Sequence, residues 1–208
     1  MKNLFRIDAS NATKEFQQLA IEIATHYDLT ADHTKFKIVE MEFYLFDPIH
    51  HRDGFAHFHN RTAGEFRSHN SGLDITITSK NPDSYGGILI RSIQNLSTGQ
   101  FINGPRKCVF AIFDQIGSVA ARDITFGLEP TKTKRILLPL EPVIGPRIGL
   151  GQPNRLTPKD DHYKSSSLRF IFSITPLNKV ADKEKLVRHL KVPELDTKFC
   201  GYKIDYDT

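Results

Sequence analysis

Ile38-Val39-Glu40-Met41-Glu42-Phe43-Tyr44-Leu45 is the stretch on which the reading of this 208-residue chain turns. Successive side chains of a strand alternate between its faces, so Val39, Met41, Phe43 and Leu45 share one side, and Ile38, Glu40, Glu42 and Tyr44 the other. The first face is core material. The second holds two carboxylates beside an aromatic ring, where burial is costly unless the charge is paired, and where a general base would be at home. The plain alternative is an amphipathic strand whose glutamates face water. If both carboxylates are buried, one of them needs a neutralising partner, and Arg91 or His57 is the expected one.

Outward from this strand the elements can be placed by periodicity. Upstream, Phe16, Leu19, Ala20, Ile23 and Ala24 recur at helical spacing and predict a helix from Thr13 to His26. Downstream, Asp47 to Asn70 is polar, rich in histidine and interrupted by glycine, and reads as an extended functional loop. Leu73, Ile75 and Ile77 alternate with Asp74, Thr76 and Thr78, a half-buried strand. Ile88 to Ile93 is a β-branched strand carrying one charge, Arg91. Gly104-Pro105 opens a helix with Val109, Phe113 and Ile116 along one side. Ile136 to Val143, broken by Pro139 and Pro142, suits an edge strand or an extended segment rather than a central strand. Leu168 to Ile174 reads as a last strand, and Asp182 to Leu190 as a basic helix whose charges are most simply a solvated face. Helices and strands mix without regular βαβ alternation, which predicts a single α+β domain over residues 1–208 with a largely antiparallel, curved sheet flanked by helices.

Composition narrows the partners. Lys and Arg total 28 against 24 Asp and Glu, giving a net charge of +4 and a pI near 9.0, a balance that suits a polyanion such as nucleic acid. Cys108 and Cys200 are too few for a disulfide framework or a thiolate zinc cage, which implies no cofactor held by sulfur. The first residues lack the apolar core of a secretion signal, and no run has the length of a membrane span, so a soluble cytoplasmic protein is expected. His50, His51, His57, His59 and His69 crowd into twenty residues near Asp53 and keep a histidine-ligated metallohydrolase open as an alternative, although their spacing fits no familiar ligand motif.

Taken in order, six segments resemble the 3-methyladenine (alkyladenine) DNA glycosylase family. They are the Ile38–Leu45 strand, Ala56-His57, the apolar strand ending in Ile90-Arg91, Gly104-Pro105-Arg106-Lys107, Pro146-Arg147-Ile148-Gly149-Leu150-Gly151, and Leu168-Arg169-Phe170. The resemblance runs from residue 38 to 172 and leaves 177–208 as a C-terminal extension. It implies a metal-free, monofunctional enzyme that flips a damaged purine out of DNA and hydrolyses its N-glycosidic bond. Glu42 would be the general base and Arg91 its partner in positioning water. Tyr44 and His57 would line the base pocket, the backbone from Ile148 to Leu150 would line the water site, and Thr78 would take the place of the family's discriminating side chain. Cleavage passes through an oxocarbenium-like sugar, which a nearby anion stabilises.

Two departures stand out. The family's wedge tyrosine is replaced by Ser71, so Phe66, His69 or Asn70 would have to fill the gap left by a flipped base. The connection between the Arg91 strand and Gly104 is also short. A noncatalytic nucleic-acid or nucleotide-binding module on the same fold therefore stays open.

Overall fold

The computed structural model describes residues 4–116, 125–131, 142–151 and 161–206. Its strands are β1 (Arg6–Ile7), β2 (Tyr27–Ala31), β3 (Thr34–Asp47), β4 (His51–Arg52), β5 (Phe66–His69), β6 (Gly72–Ser79), β7 (Tyr85–Asn95), β8 (Phe101–Asn103), β9 (Phe126–Pro130), β10 (Val143–Gly145) and β11 (Arg169–Ile171). Helices α1 (Ala12–His26), α2 (Pro105–Phe113) and α3 (Lys183–Leu190) accompany them. The strands form one sheet with the central order β1-β6-β7-β3-β11-β10. Among the described pairings only β1 with β6 is parallel. The mixed helix and strand class and the antiparallel sheet agree with the sequence reading. No helix among the described residues is long and apolar enough to cross a membrane.

Helix α1 forms where expected and buries Phe16, Leu19, Ala20, Ile23 and Ala24 against the sheet. Phe16 stacks on Phe43 of β3 at 4.8 Å, a contact that continues to Phe170 of β11 at 5.2 Å. Each such ring contributes roughly 1.5–3 kcal/mol by leaving water. Helix α2 presents a different face from the one expected. Cys108, Ile112 and Ile116 are buried, and Phe113 is 47% exposed. Cys108 and Ile112, one turn apart, lie on the side of α2 that packs on β6 and β7, whereas Phe113 falls on the next stripe round the helix. A second apolar cluster joins Val143 and Ile171 to Val180, Leu186, Val187 and Phe199, so the C-terminal segment packs on the far edge of the sheet.

β3 lies between β7 and β11, and its reading needs one correction. Ile38, Met41, Phe43 and Leu45 face the main core, whereas Val39 is buried outside it. Core side chains three residues apart cannot occur in a regular strand. The pairing with β7 shifts at this point: Ile38 opposes Ile93, Glu40 opposes Ser92, and Met41 opposes Ile90. β7 makes the same three-residue step, with Ile90 and Ile93 both in the core. A bulge in both strands flips the phase together and returns them to the original register. β7 also extends beyond the expected strand at both ends, and β4 and β5 break what the sequence presents as a loop. Of the expected edge strand, 136–141 lie outside the described residues; Val143 begins β10, the end of the central order.

Candidate functional site

Glu40 and Glu42 are both buried, at 2% and 0% exposure, so the water-facing alternative does not hold. Glu42 Oε2 accepts hydrogen bonds from the Tyr44 hydroxyl at 2.8 Å and from Arg91 Nη1 at 3.0 Å. Its other oxygen, Oε1, accepts the Ile148 N–H at 3.0 Å. These three donors offset the cost of placing the charge in the sheet. Arg91 Nη1 also donates to the Ile148 carbonyl at 3.3 Å, tying β7 to the turn after β10. Burial opposes the charge on Arg91, but Glu42 and Glu40 raise its pKa, so it stays cationic. Burial, followed by the negative charge of Glu42, holds the Tyr44 hydroxyl well above the usual tyrosine range, which keeps it a donor.

Glu40 has more partners than expected. Arg169 Nε donates to its Oε1 at 2.7 Å, Arg91 Nε approaches the same oxygen at 3.4 Å, and the Ser92 hydroxyl bonds Oε2. Of the two partners the sequence suggested, Arg91 reaches both glutamates. Arg91 and Arg169 thus bracket Glu40, and with Glu42 they make a chain of two anions and two cations, electrically balanced as a set.

Arg147 builds the floor beneath Tyr44. It reaches Asp53 through both terminal nitrogens, at 2.6 and 3.1 Å, and donates to the carbonyls of Phe43 and Tyr163. Its guanidinium lies 4.3 Å from the Tyr44 ring centre, a cation-π contact in a dry environment. Asp53 is also fully buried, and it accepts the Phe55 N–H. Sequence reasoning missed Asp53, Arg147 and Arg169 as site-builders. The signal that singled out Arg91, one charge within an apolar run, applies equally to Pro146-Arg147-Ile148 and Leu168-Arg169-Phe170.

Tyr44, Arg91 and Ile148 form part of the wall of a cavity of about 470 Å³. Glu42 stands directly behind them. Leu150, Gly149 and Gly151 continue the wall, and Gly149 adopts φ +67°, a left-handed conformation that L side chains rarely hold. His57, Phe55, Leu89, Ser71, Arg67, His69 and Asp74 complete much of the rest. His57 therefore lines the cavity as expected, with partial burial, Arg67 and His69 lowering its pKa toward the neutral imidazole. Asp74 was placed by the sequence on the face opposite the core, but not identified as a site residue.

Other expected residues fall elsewhere. Thr78 is not in the cavity wall; its N–H bonds the Phe5 carbonyl where β6 pairs with β1. β6 runs four residues from Asp74 to Thr78, enough to carry it beyond the cavity floor. Phe66 is no free wedge either: its ring packs on Phe126 at 4.6 Å and joins the core margin. His69 lines the cavity, and Asn70 is exposed at the tip of the β5–β6 hairpin. Together they border a neighbouring recess of about 410 Å³ against Arg106 and Phe110 of α2, with Phe110 61% exposed.

The histidines do not converge. His51 Nδ1 sits 2.8 Å from the Leu45 carbonyl, His59 Nε2 sits 2.8 Å from the Gly86 carbonyl, and His69 faces Asp74. Among the described residues, no group of three or more His, Cys, Asp or Glu side chains is placed to hold a metal ion.

No family model matches the chain. It is 32% identical to the uncharacterized protein L759 of Acanthamoeba polyphaga mimivirus, over 54% of this chain and 62% of that protein. The chain therefore spans less than two thirds of that relative's length.

Proposed function

We propose that this chain is a monofunctional DNA glycosylase that releases alkylated or deaminated purines through water activated by Glu42. One observation carries the reading: a fully buried carboxylate held by Tyr44, Arg91 and the Ile148 N–H, immediately behind a cavity with room for a flipped base. A carboxylate offers about four acceptor positions. Three protein donors leave one for the attacking water, between Arg91 and the Ile148–Leu150 backbone. Glu42 takes a proton from that water as its oxygen bonds C1′ of the sugar. The N-glycosidic electron pair leaves with the purine, which is protonated from solvent. The anion faces the positive charge that develops on the sugar. No lysine acts as nucleophile, so the product is an abasic site without strand cleavage.

The collinear motifs add support for an alkyladenine-glycosylase-like fold, since all six reach this cavity or the ion-pair chain behind it. A balance of basic charge suits a DNA partner. Ser71 and the closed covering of Glu42 favour a second reading, a noncatalytic module binding a nucleotide or single strand in the same cavity.

Single-turnover base release separates the two. Duplex and single-stranded oligonucleotides carrying hypoxanthine, 1,N6-ethenoadenine or methylated purines are incubated with wild type and with Glu42→Gln. Abasic sites formed by wild type, and about 10²–10⁴-fold more slowly by the variant, are expected for a base-catalysed hydrolysis. Intact DNA binding with no release of any base leaves the noncatalytic module.

A further inference from the structure

We infer that Asp74 reads the edge of the bound base, accepting a hydrogen bond from the substituent it meets there, and so selects purines that present an exocyclic amine at that position over those that present a carbonyl. The inference rests on the base-excision reading of the same cavity and names the substrate class within it.

The sheet itself sets the geometry. Glu42 of β3 opposes Leu89 of β7, and Leu89 opposes Asp74 of β6. Directly opposed residues in adjacent antiparallel strands project from the same face. Neighbouring strands lie about 4.8 Å apart, so Glu42 and Asp74 stand on one face with their backbones about 10 Å apart, with Leu89 between them. A flat base lying over Leu89, its sugar toward Glu42, directs its far edge at Asp74. Gly87 leaves the space that Asp74 occupies, because a Cβ there would come within 2.8 Å of the carboxylate oxygen.

Asp74 is 7% exposed, and it lines the cavity wall. His69 Nε2 approaches its Oδ2 at 3.0 Å and Arg67 Nη1 at 4.0 Å, both from the neighbouring strand β5. These groups hold the carboxylate while using only part of its acceptor capacity. His57, kept toward its neutral form, stands on the same side of the cavity with its ring 6.2 Å from that of His69. An amine meeting Asp74 completes a charge-assisted hydrogen bond. A carbonyl in the same place sets two acceptors against each other and leaves a buried charge without its donor, the arrangement that discriminates most strongly between near-isosteric ligands.

The experiment compares release of methyladenine from methylated DNA with release of hypoxanthine from an oligonucleotide, in wild type, Asp74→Asn and Glu42→Gln. The expected result is a wild-type preference for methyladenine that falls by about tenfold or more in Asp74→Asn, whose amide can donate to a carbonyl, while release by both enzymes outpaces Glu42→Gln. Equal slowing of both substrates by Asp74→Asn overturns the role of Asp74 and leaves the glycosylase standing. Absence of any release by wild type overturns the reading beneath it. Should Asp74→Asn fail to fold, equilibrium dialysis of wild type with free adenine and free hypoxanthine serves instead: tighter binding of adenine supports the inference, and equal affinities sink it.

Discussion

At the Glu42 end of the cavity, charged groups are held by partners from remote parts of the chain. Ile148 is 106 positions from Glu42, Arg147 is 94 from Asp53, and Arg169 is 129 from Glu40. At the Asp74 end, the contacts come from Arg67 and His69 on the adjoining strand of one hairpin. The first end exists only when β3, β7, β11 and the Gly145–Gly151 turn are all assembled. The second is nearly a local structure. The difference teaches that the group proposed to do chemistry is embedded in the frame of the fold, whereas the group proposed to choose the base can change without rebuilding that frame.

The largest effect should come from cutting the long-range frame. Arg147→Met leaves Asp53 charged and buried without its bidentate partner, and should lower stability by about 3–5 kcal/mol. Arg67→Met removes a charge 4.0 Å from Asp74 at the cavity wall and should cost less than about 1 kcal/mol. Urea unfolding of the two variants measures both. Similar losses would erase the contrast between the two ends.

Gly87→Ala should come next, at about 1–3 kcal/mol, because the added methyl meets the Asp74 carboxylate rather than open space. Its sharper consequence is functional: Asp74 must move, so base preference should change together with stability while the dependence on Glu42 persists. Chemical denaturation with parallel base-release assays tests the pairing. Wild-type base preference in Gly87→Ala would show that Asp74 is not held by the glycine.

The smallest effect concerns pH and the frame again. His51 is packed between Phe16 and Tyr163, and burial pushes its pKa below the ordinary value of 6.5. As pH falls below 6.5, the unfolded chain takes up a proton that the folded chain refuses, so stability declines until pH reaches the lowered folded value. His57 and His59, also lowered first by burial, contribute in the same direction. His51→Gln should therefore lose less stability than wild type between about pH 7.5 and pH 5. Thermal melts across that range would show it, and an unchanged slope would assign the pH dependence to other groups.

Much of the frame was legible in the sequence, because α1, β6 and most of β3 repeat with a clean period and β7 is a run of β-branched residues. The face of β3 that carries Glu42 and Tyr44 was legible for the same reason, as was Arg91. Ile38 and Val39 were assigned to the wrong faces because a strand irregularity leaves no mark in composition. β2, β8 and β9 escaped because they are short, and the Tyr27–Ala31 alternation of β2 follows helix α1 without a break in the chain. Arg147 and Arg169 carried a readable signal, but their partners Asp53 and Glu40 lie on other strands or loops, and pairing over such distances is a property of the folded sheet. Thr78 shows the converse limit: position along an aligned strand does not determine which side chains reach a cavity when the local pairing differs.

The matched irregularity in β3 and β7 also bears on how the sheet forms. Sliding one strand by two residues is the cheapest pairing mistake in an antiparallel sheet, since every side chain keeps its face. Here such a slide would set the kink of one strand against a regular stretch of the other, turning isoleucines outward on one side and drawing charges inward. The two defects thus work as tooth and notch: the ribbon seats in a single alignment, and Glu42 meets Arg91 only when it has done so.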